Sequence, residues 1–368
     1  MIIHLFAPFF SGSHQRWAEE LAMFSSHEIR LFTLPGRHWK WRMHGAAVEL
    51  ARQFLQQEED PDLILTTDML DTSTFLALTR PRTAKVPVAV YFHENQLTYP
   101  WSPTDEDVAQ KRDRHYAWIN YTSALAADAV LFNSHYHKDS FIQALPGFLK
   151  AFPDHKGLPT VDQIAAKSNV LPLGLNLQSF DEVEARYEAE VPVLLWNHRW
   201  EYDKNPEAFF TCCEKLHDEG LAFQLMVLGE SYSARPKVFE AVKSKLADRI
   251  LHWGFAEDFG AYASLVKSAT VLPVTSRQDF FGGSVVEAMY CGLYPLLPNR
   301  LAFPEHLFPK QQATFLYDSD AELKEKLRSL LLNPQPLEDT SFTRSSVTRY
   351  KWQNLIRRYD QVFQDLVR

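Results

Sequence analysis

The sequence predicts an α/β protein built from two doubly wound, Rossmann-like domains of similar size. Two observations lead to this prediction. Short apolar runs alternate with amphipathic stretches along both halves of the chain, which is typical of βαβ units on a parallel sheet. The chain also has 368 residues, 46% of them hydrophobic, which is enough for two separate cores.

The first half begins with an apolar strand and continues in strand–helix order. The predicted strands are Ile2–Phe6, Ile29–Leu34, Leu63–Thr66, Val88–Phe92, Ala129–Phe132 and Val170–Leu173, and the predicted helices are His14–Phe24, Gly45–Gln56 and Lys111–Ala126. Three prolines and two glycines in residues 146–160 predict a segment without regular secondary structure between Pro146 and Ser168.

The second half follows a polar, acidic linker over Ser179–Glu190. Its predicted strands are Val193–Trp196, Phe223–Leu228, Ile250–Trp253, Thr270–Val274 and Tyr294–Leu297, and its predicted helices are Pro206–His217, Lys237–Leu246, Ser284–Cys291 and Ala321–Leu332. The predicted domains are 1–178 and 179–348, and we expect a C-terminal helix within 349–368 to pack back on the first. Two such domains are expected to face each other across a cleft, with ligands at the carboxyl ends of the strands.

Charge and cysteine content exclude several classes of protein. The formal net charge of −8 disfavours a broadly basic nucleic-acid-binding surface, although it leaves room for a local basic patch. No apolar run reaches the ~20 residues of a membrane helix, and the first residues lack the features of a signal peptide. The 3 cysteines show no CxxC spacing, so we expect neither a disulfide framework nor a zinc cluster. The expected compartment is the cytoplasm.

Two segments of the second half have the chemistry of a nucleotide site. In residues 279–292, DFFGGSVVEAMYCG, glycines at a helix start let a phosphate approach backbone amides, and Glu287 can accept hydrogen bonds from sugar hydroxyls. In residues 196–210, WNHRWEYDKNPEAFF, Arg199 and Lys204 follow a strand and could clamp a diphosphate. The alternative for residues 279–292 is an ordinary strand–turn–helix with a solvated glutamate. The alternative for residues 196–210 is a surface loop with ordinary solvated cations.

Two segments of the first half are weaker candidates. Ser11, Gly12 and Ser13 follow the first strand and could present amides to a phosphate or an acceptor, or could simply form a tight turn. In YFHENQLTYP, residues 91–100, His93, Glu94 and Asn95 emerge at the carboxyl end of a buried strand. A histidine there could bind a sugar or transfer a proton. The alternative is a structural loop histidine whose hydrogen bonds are made within the protein.

A basic and aromatic segment covers residues 36–44, GRHWKWRMH. Cations beside flat rings suit single-stranded nucleic acid, and a partly buried aromatic loop with solvated charges is equally consistent with the pattern. The residues concerned are Arg37, Trp39, Lys40, Trp41 and Arg42.

These segments together resemble the retaining GT-B glycosyltransferases. Arg199 and Lys204, then HWGF at 252–255, then Asp279 with Phe281, Gly282 and Glu287 follow the order of the donor-binding signature of that class, although Asp279 stands where the class usually has glutamate. The segments SGSH, TLPGRHWKWR, YFHENQLTYP, LFNSHYHKDSF and NHRWEYDKNPEAFF are similar to those of the tRNA-queuosine α-mannosyltransferase family. This resemblance covers nearly the whole chain.

The resemblance implies transfer of mannose from GDP-mannose, with retention, to the cyclopentenediol of queuosine in a tRNA anticodon. It implies that Arg199 and Lys204 neutralise the leaving diphosphate, that Glu287 holds the ribose, and that His93 meets the donor sugar. The leaving phosphate can take the acceptor proton, so neither a base carboxylate nor a metal ion is expected. The residues that it assigns to the nucleotide-sugar are Ser11, Gly12, Ser13, His198, Phe255, Asp279, Phe281, Gly282, Gly283 and Ser284.

Two other functions remain open at this point. A GT-B enzyme with the same donor chemistry could use a small molecule, a glycan or a lipid as its acceptor. A nucleotide-sugar epimerase would convert the donor sugar without any acceptor. The order and residues of the donor signature do not separate GDP from UDP, and they leave the oligomeric state undetermined.

Overall fold

The computed structural model describes residues 1–102, 105–110, 114–230 and 236–368. The chain divides into two compact units. The N-terminal unit contains Met1–Leu175 together with Trp352–Arg368, and the C-terminal unit contains Asn176–Lys351. Each unit has a parallel sheet at its centre, so the predicted α/β class is confirmed.

The N-terminal unit has a sheet in the order β2-β1-β3-β4-β5-β6, and every neighbouring pair is parallel. The strands are β1 (Ile2–Phe10), β2 (Glu28–Pro35), β3 (Leu63–Thr67), β4 (Val88–Phe92), β5 (Ala129–Phe132) and β6 (Ser168–Val170); the helices are α1 (Gly12–Phe24), α2 (Trp39–Leu55), α3 (Thr72–Thr83), α4 (Glu106–Ala109), α5 (His115–Ala126), α6 (His135–Lys150) and α7 (Pro159–Ala166). The strand β4 is buried on both faces, which explains its unbroken apolar sequence.

The C-terminal unit repeats this architecture in the order β12-β11-β10-β7-β8-β9. Its strands are β7 (Val193–Asn197), β8 (Gln224–Leu228), β9 (Ile250–Gly254), β10 (Val271–Pro273), β11 (Tyr294–Pro298) and β12 (Leu316–Tyr317); its helices are α8 (Pro206–Asp218), α9 (Val238–Lys245), α10 (Phe259–Lys267), α11 (Gly283–Tyr290), α12 (Pro309–Phe315), α13 (Asp320–Leu332) and α14 (Ser341–Val347). The strand order reverses between β7 and β10, which is where doubly wound sheets bind ligands.

The C-terminal helix α15 (Trp352–Val367) lies on the N-terminal unit. The Trp352 indole N–H donates to the Glu20 carboxylate at 2.6 Å, and the Trp17 indole donates to the Tyr359 hydroxyl at 3.3 Å. A Cβ at position 174 would lie 2.4 Å from the Trp352 ring, so Gly174 permits this close packing. The apolar face of α15 is therefore covered by the unit in which the chain begins.

Several helices have no counterpart among the predicted ones, namely α3, α7, α10, α12 and α14. The expected irregular stretch from Pro146 contains the end of α6 and the whole of α7, because Phe141, Leu145 and Leu149 form a buried stripe that outweighs the hydrogen bond lost at Pro146. The helix α3 was not predicted, because threonines form much of its buried face and weaken the apolar periodicity.

Other differences concern element boundaries. Helix α2 begins at Trp39, six residues before the predicted start, so most of the basic and aromatic segment is helical. Strand β6 ends at Val170, where the prediction had a strand begin. The predicted helix Lys111–Ala126 begins at His115 in the described residues, and positions 111–113 lie outside them.

Candidate functional site

The loops after β7 and β10 lie side by side because these two strands are neighbours in the sheet. Arg199 and Lys204 are on the first loop, whereas Asp279 and Gly282 are on the second. The Thr275 hydroxyl donates to the carbonyl oxygens of both Lys204 and Asn205 at 3.0 Å, which joins the two loops. The sequence segments that suggested a nucleotide site are thus brought together at the switch point of this sheet, the place between β7 and β10 where the strand order reverses.

Lys204 is a buried cation between two carboxylates. Its Nζ lies 3.0 Å from Asp279 and 3.2 Å from Asp203, and it donates to the Gln278 carbonyl at 2.8 Å. Burial alone would lower the pKa of Lys204, but the charges of Asp279 and Asp203 outweigh this effect and raise it above its ordinary value. Lys204 therefore stays charged although only 7% of the residue is exposed.

Arg199 is placed quite differently from Lys204. Its side chain is 45% exposed, and NH1 lies 3.3 Å from the Glu201 carboxylate. Burial raises the pKa of Glu201, and the Arg199 charge opposes that shift. An exposed ion pair of this kind is weak and can rearrange around an anionic ligand.

The turn that precedes α11 is held rigidly. Gly282 has a φ of 85°, and a Cβ there would lie 3.0 Å from the Phe303 ring, so the turn favours glycine at this position. The His306 Nε2–H donates to the Phe281 carbonyl at 2.6 Å, and the Tyr350 hydroxyl donates to His306 Nδ1 at 3.2 Å. Burial lowers the pKa of His306 to about 4, which keeps this ring neutral.

The helix α11 continues from this turn and contains the predicted carboxylate. Glu287 is buried one turn into the helix, and its Oε2 accepts a hydrogen bond of 2.8 Å from the Tyr262 hydroxyl. Gly283 is the first residue of the helix, and Ser284 Oγ lies 3.3 Å from Nδ1 of His198. The helix thus connects the glycine turn with the loop that follows β7.

Buried polar side-chain atoms without a partner among the described residues occur in both units, for example on His4 and His217, and one group of them lies on or next to these two loops. This group includes Oδ1 of Asn197, Nε2 of His198, Oδ1 of Asn205, Oγ of Ser276 and Nε2 of Gln278. Because most buried polar groups in proteins have a hydrogen-bond partner, this group of atoms indicates a site for a polar ligand. Burial lowers the pKa of His198 to about 4, so its ring is neutral.

The sequence prediction missed four of these residues and one glycine. Asn197, Asn205, Ser276 and Gln278 carry no motif, although polar residues directly after two predicted strands were a usable signal. Gly229, after β8, has a φ of 115°, and a Cβ there would lie 2.0 Å from the His198 carbonyl. Phe255 directly follows β9 with 69% of its surface exposed, so its ring is available to a ligand.

His93 is the central residue of the predicted site in the N-terminal unit. Its backbone N–H donates to the Asp68 carboxylate at 2.8 Å, and its carbonyl accepts from Asn133 Nδ2 at 2.9 Å. Its ring centroid lies 4.5 Å from that of His14 and 4.6 Å from that of Trp17. Burial and the neighbouring His14 lower the pKa of His93 well below its ordinary value, so the ring is neutral.

Asp68 was not predicted, although it directly follows β3, which neighbours β1 and β4. It is buried, and burial followed by the nearby Glu94 charge raises its pKa well above the ordinary value. Asn95, a candidate for the acceptor side from the sequence, is fully buried, and its Oδ1 accepts from the backbone N–H groups of Leu97 and Thr98. Asn95 therefore holds the loop that presents His93 and Glu94.

The turn after β1 packs against the start of the basic and aromatic segment. A Cβ at position 36 would lie 2.0 Å from Ser11 Oγ, so Gly36 permits this contact. Gly12 has a φ of 53° and is exposed, as is Ser13. Both residues lie in the first turn of α1, directly after the carboxyl end of β1.

The predicted cations of residues 36–44 differ in their surroundings. Lys40 lies 2.6 Å from Asp105 and 2.5 Å from Asp107, so its charge is already compensated. Arg42 donates from Nε to the Pro35 carbonyl at 3.1 Å. Arg37 is exposed and Trp41 is 64% exposed, whereas Trp39 is partly covered. Only part of this segment is therefore open to a ligand in the described structure.

Comparisons with known proteins define first the class of the chain and then its family. Residues 180–343 match the family model described as glycosyl transferases group 1, and residues 2–175 match the one described as tRNA-queuosine alpha-mannosyltransferase N-terminal. The fold is that of the GT-B glycosyltransferases. A sucrose-phosphate synthase from Thermosynechococcus elongatus superposes with a TM-score of 0.74 and is 15% identical in sequence, and the superposition covers 100% of this chain and 99% of the other. The structure of HepE of Anabaena in complex with UDP superposes with a TM-score of 0.67 at 15% identity, covering 99% of this chain and 100% of the other. The chain is a glycosyltransferase.

A tRNA-queuosine alpha-mannosyltransferase of Drosophila melanogaster is 31% identical over 98% of this chain and 96% of its own length. The chain therefore belongs to the tRNA-queuosine alpha-mannosyltransferase family. None of the helices in the described ranges combines the length and apolar character that a membrane crossing requires. Within those ranges, no group of three or more histidine, cysteine, aspartate or glutamate side chains is arranged to hold a metal ion.

Proposed function

We propose that this protein transfers mannose from GDP-mannose, with retention, to the cyclopentenediol of queuosine in a tRNA anticodon. The family supports mannose as the transferred sugar and queuosine in tRNA as the acceptor. The observation that carries the proposal is the cluster of buried polar atoms around Lys204, on the two loops at the switch point of the C-terminal sheet. In this proposal the C-terminal unit provides most of the donor contacts, and the N-terminal unit provides the acceptor contacts and the remaining donor contacts.

The leaving diphosphate is neutralised by two cations in this proposal. Lys204 is held in place by Asp203 and Asp279, which compensate its charge, so it would meet the phosphates by exchanging one of these contacts. Arg199 is exposed and can turn towards the phosphates with its planar guanidinium. With both cations present, the phosphates need no metal ion for charge compensation.

The remaining donor contacts in this proposal are made by α11, the turn before it and Phe255. The backbone of Phe281, Gly282 and Gly283 would meet the sugar and phosphates, with Asp279 on the sugar. Glu287 would accept hydrogen bonds from the ribose, and the exposed ring of Phe255 would stack on the base. His198 and Ser284, which lie 3.3 Å apart, would complete the polar lining of the site.

The transfer step forms one bond and breaks one. The bond between C1 of mannose and the phosphate oxygen breaks as the queuosine hydroxyl oxygen bonds to C1, and the departing phosphate takes the hydroxyl proton. No carboxylate base is needed for this step. His93 would contact the donor sugar as a neutral ring, because burial lowers its pKa. Ser11, Gly12 and Ser13 would present backbone amides to the phosphates, while Glu94 would lie on the acceptor side.

Nucleoside mass spectrometry tests the proposal directly. Transfer RNA containing queuosine is incubated with the protein and GDP-mannose, and tRNA with guanine at the same position is the matched control. We expect one hexose mass added to queuosine and none in the control. Turnover of GDP-mannose with an unmodified tRNA nucleoside would overturn the acceptor and favour another acceptor or an epimerase.

A further inference from the structure

The N-terminal unit contains a cavity of about 600 Å³ that the proposed mechanism does not use. It is lined by residues of α2, α4 and α5, by Arg114 and by Phe152 after α6, and its described lining belongs to this unit. The volume is within the range of sites that hold a small organic ligand, about 300–1,000 Å³. The cavity is thus large enough for a nucleoside.

Flat rings form the walls of this cavity. The His44 and His115 rings are stacked, with centroids 4.5 Å apart and planes inclined by 6°. The Nδ1–H of His44 donates to the Lys40 carbonyl at 2.8 Å, which fixes the orientation of that ring. Trp118 is 40% exposed, and its ring centroid lies 5.1 Å from that of Phe152. A planar ligand can therefore stack on more than one side.

The polar groups at the cavity suit a nucleotide. Arg114 is exposed and makes no ion pair with any other residue that the structure describes, so it can meet a phosphate. The Asp107 carboxylate lies 2.5 Å from Lys40 Nζ, accepts from the Tyr116 hydroxyl at 3.1 Å and lines the cavity, where its oxygens can also accept a hydrogen bond from a base amino group.

We propose that this cavity binds a nucleobase of the acceptor RNA, with the base on the aromatic walls and its phosphate near Arg114. Unpaired bases are recognised by stacking on aromatic rings and by hydrogen bonds to their edges, which matches this combination of groups. The inference rests on the proposed tRNA acceptor and extends it, because the cavity lies outside the basic and aromatic segment apart from His44. A cavity of this kind also explains how a chain of net charge −8 holds RNA with few cations.

The affinity for a fluorescently labelled anticodon stem-loop, measured by anisotropy at fixed salt, tests this site. We expect Trp118→Ala to weaken binding about tenfold, equivalent to about 1.4 kcal/mol. We expect Arg114→Ala combined with His115→Ala to weaken it by a similar factor and to reduce its salt dependence. Leu78→Ala and Lys85→Ala are exposed controls on or next to α3 and should bind like the unmodified protein.

Trp118 also packs on Tyr121, with ring centroids 5.3 Å apart, so Trp118→Ala removes some packing. Arg114 and His115 are exposed at the start of α5, where the helix dipole disfavours cations, so the double variant should fold normally. Binding within twofold of the unmodified protein by that folded double variant would overturn the assignment. Guanosine monophosphate bound as tightly as the RNA would also overturn it, in favour of a free-nucleotide site.

The outcomes separate this inference from the proposed function. If the unmodified protein binds the stem-loop and mannosylates queuosine while the cavity variants behave like the controls, only the cavity assignment fails. If the unmodified protein neither binds RNA nor modifies queuosine, both fail together.

Discussion

Replacing Lys204 with methionine should destabilise the C-terminal unit as well as abolish transfer. Lys204→Met keeps the length of the side chain but leaves the buried Asp203 carboxylate facing Asp279 without a cation. Removing one partner of a buried ion pair costs about 3–5 kcal/mol. For a domain of this size, each kcal/mol lowers Tm by about 2–4 °C, so we expect a fall of about 6–20 °C.

Arg199→Met is the matched control for this prediction. Its exposed ion pair with Glu201 contributes at most about 1 kcal/mol, so Tm should fall by no more than about 4 °C. Both variants should lose transfer by at least about 100-fold, as expected when a charge that stabilises the leaving group is removed. Thermal unfolding followed by circular dichroism separates the two. An unchanged Tm for Lys204→Met, or an equal fall for Arg199→Met, would refute the reasoning.

Four further predictions concern the same machinery. His93→Ala should lower kcat more than it weakens GDP affinity, measured by calorimetry, whereas equal losses would indicate a purely structural histidine. Glu287→Gln should weaken GDP binding with little change in Tm, and unchanged affinity would contradict the ribose contact. Burial lowers the pKa of His198 and His306 from 6.5 to about 4, so between pH 7 and pH 4 the unfolded chain binds more protons than the folded one, and the folded state loses stability as the pH falls. Urea unfolding should show a free energy of unfolding about 2 kcal/mol lower per histidine at pH 5 than at pH 7. His306→Gln should remove part of this pH dependence. Transfer should continue in excess EDTA, and its loss with recovery on adding Mg²⁺ would show a metal requirement.

Most strands of both sheets were predictable from the sequence because buried parallel strands have continuous apolar sequences, although β12 was not predicted and β6 ends where its predicted strand begins. Val88–Phe92 and Ala129–Phe132 coincide with the structure for this reason. Helix α3 was not predictable, since threonines form much of its buried face, and their hydroxyl groups bond within the helix, as Thr79 does to the Phe75 carbonyl. The spacing of apolar residues in a sequence reveals helices with an apolar buried face. It misses a helix whose buried face is polar and whose hydroxyl groups find hydrogen-bond partners within the fold.

The candidate site shows the same limit. The sequence placed Lys204 and Arg199 in one clamp, but the spacing of two cations says nothing about their burial, and one proves buried and the other exposed. Asp68 carries no motif of its own. Its importance comes from the strand order, which brings the end of β3 beside the end of β4, where it holds the backbone of His93.

A donor competition tests the central claim most directly. Queuosine-containing tRNA is incubated with the protein, GDP-mannose labelled with ¹³C in the sugar, and an equal concentration of unlabelled UDP-glucose, and the nucleosides are analysed by mass spectrometry. We expect the mass of a heavy hexose on queuosine, and we expect Arg199→Met to lose that product. An unlabelled hexose on queuosine, or no hexose at all, would contradict the central claim.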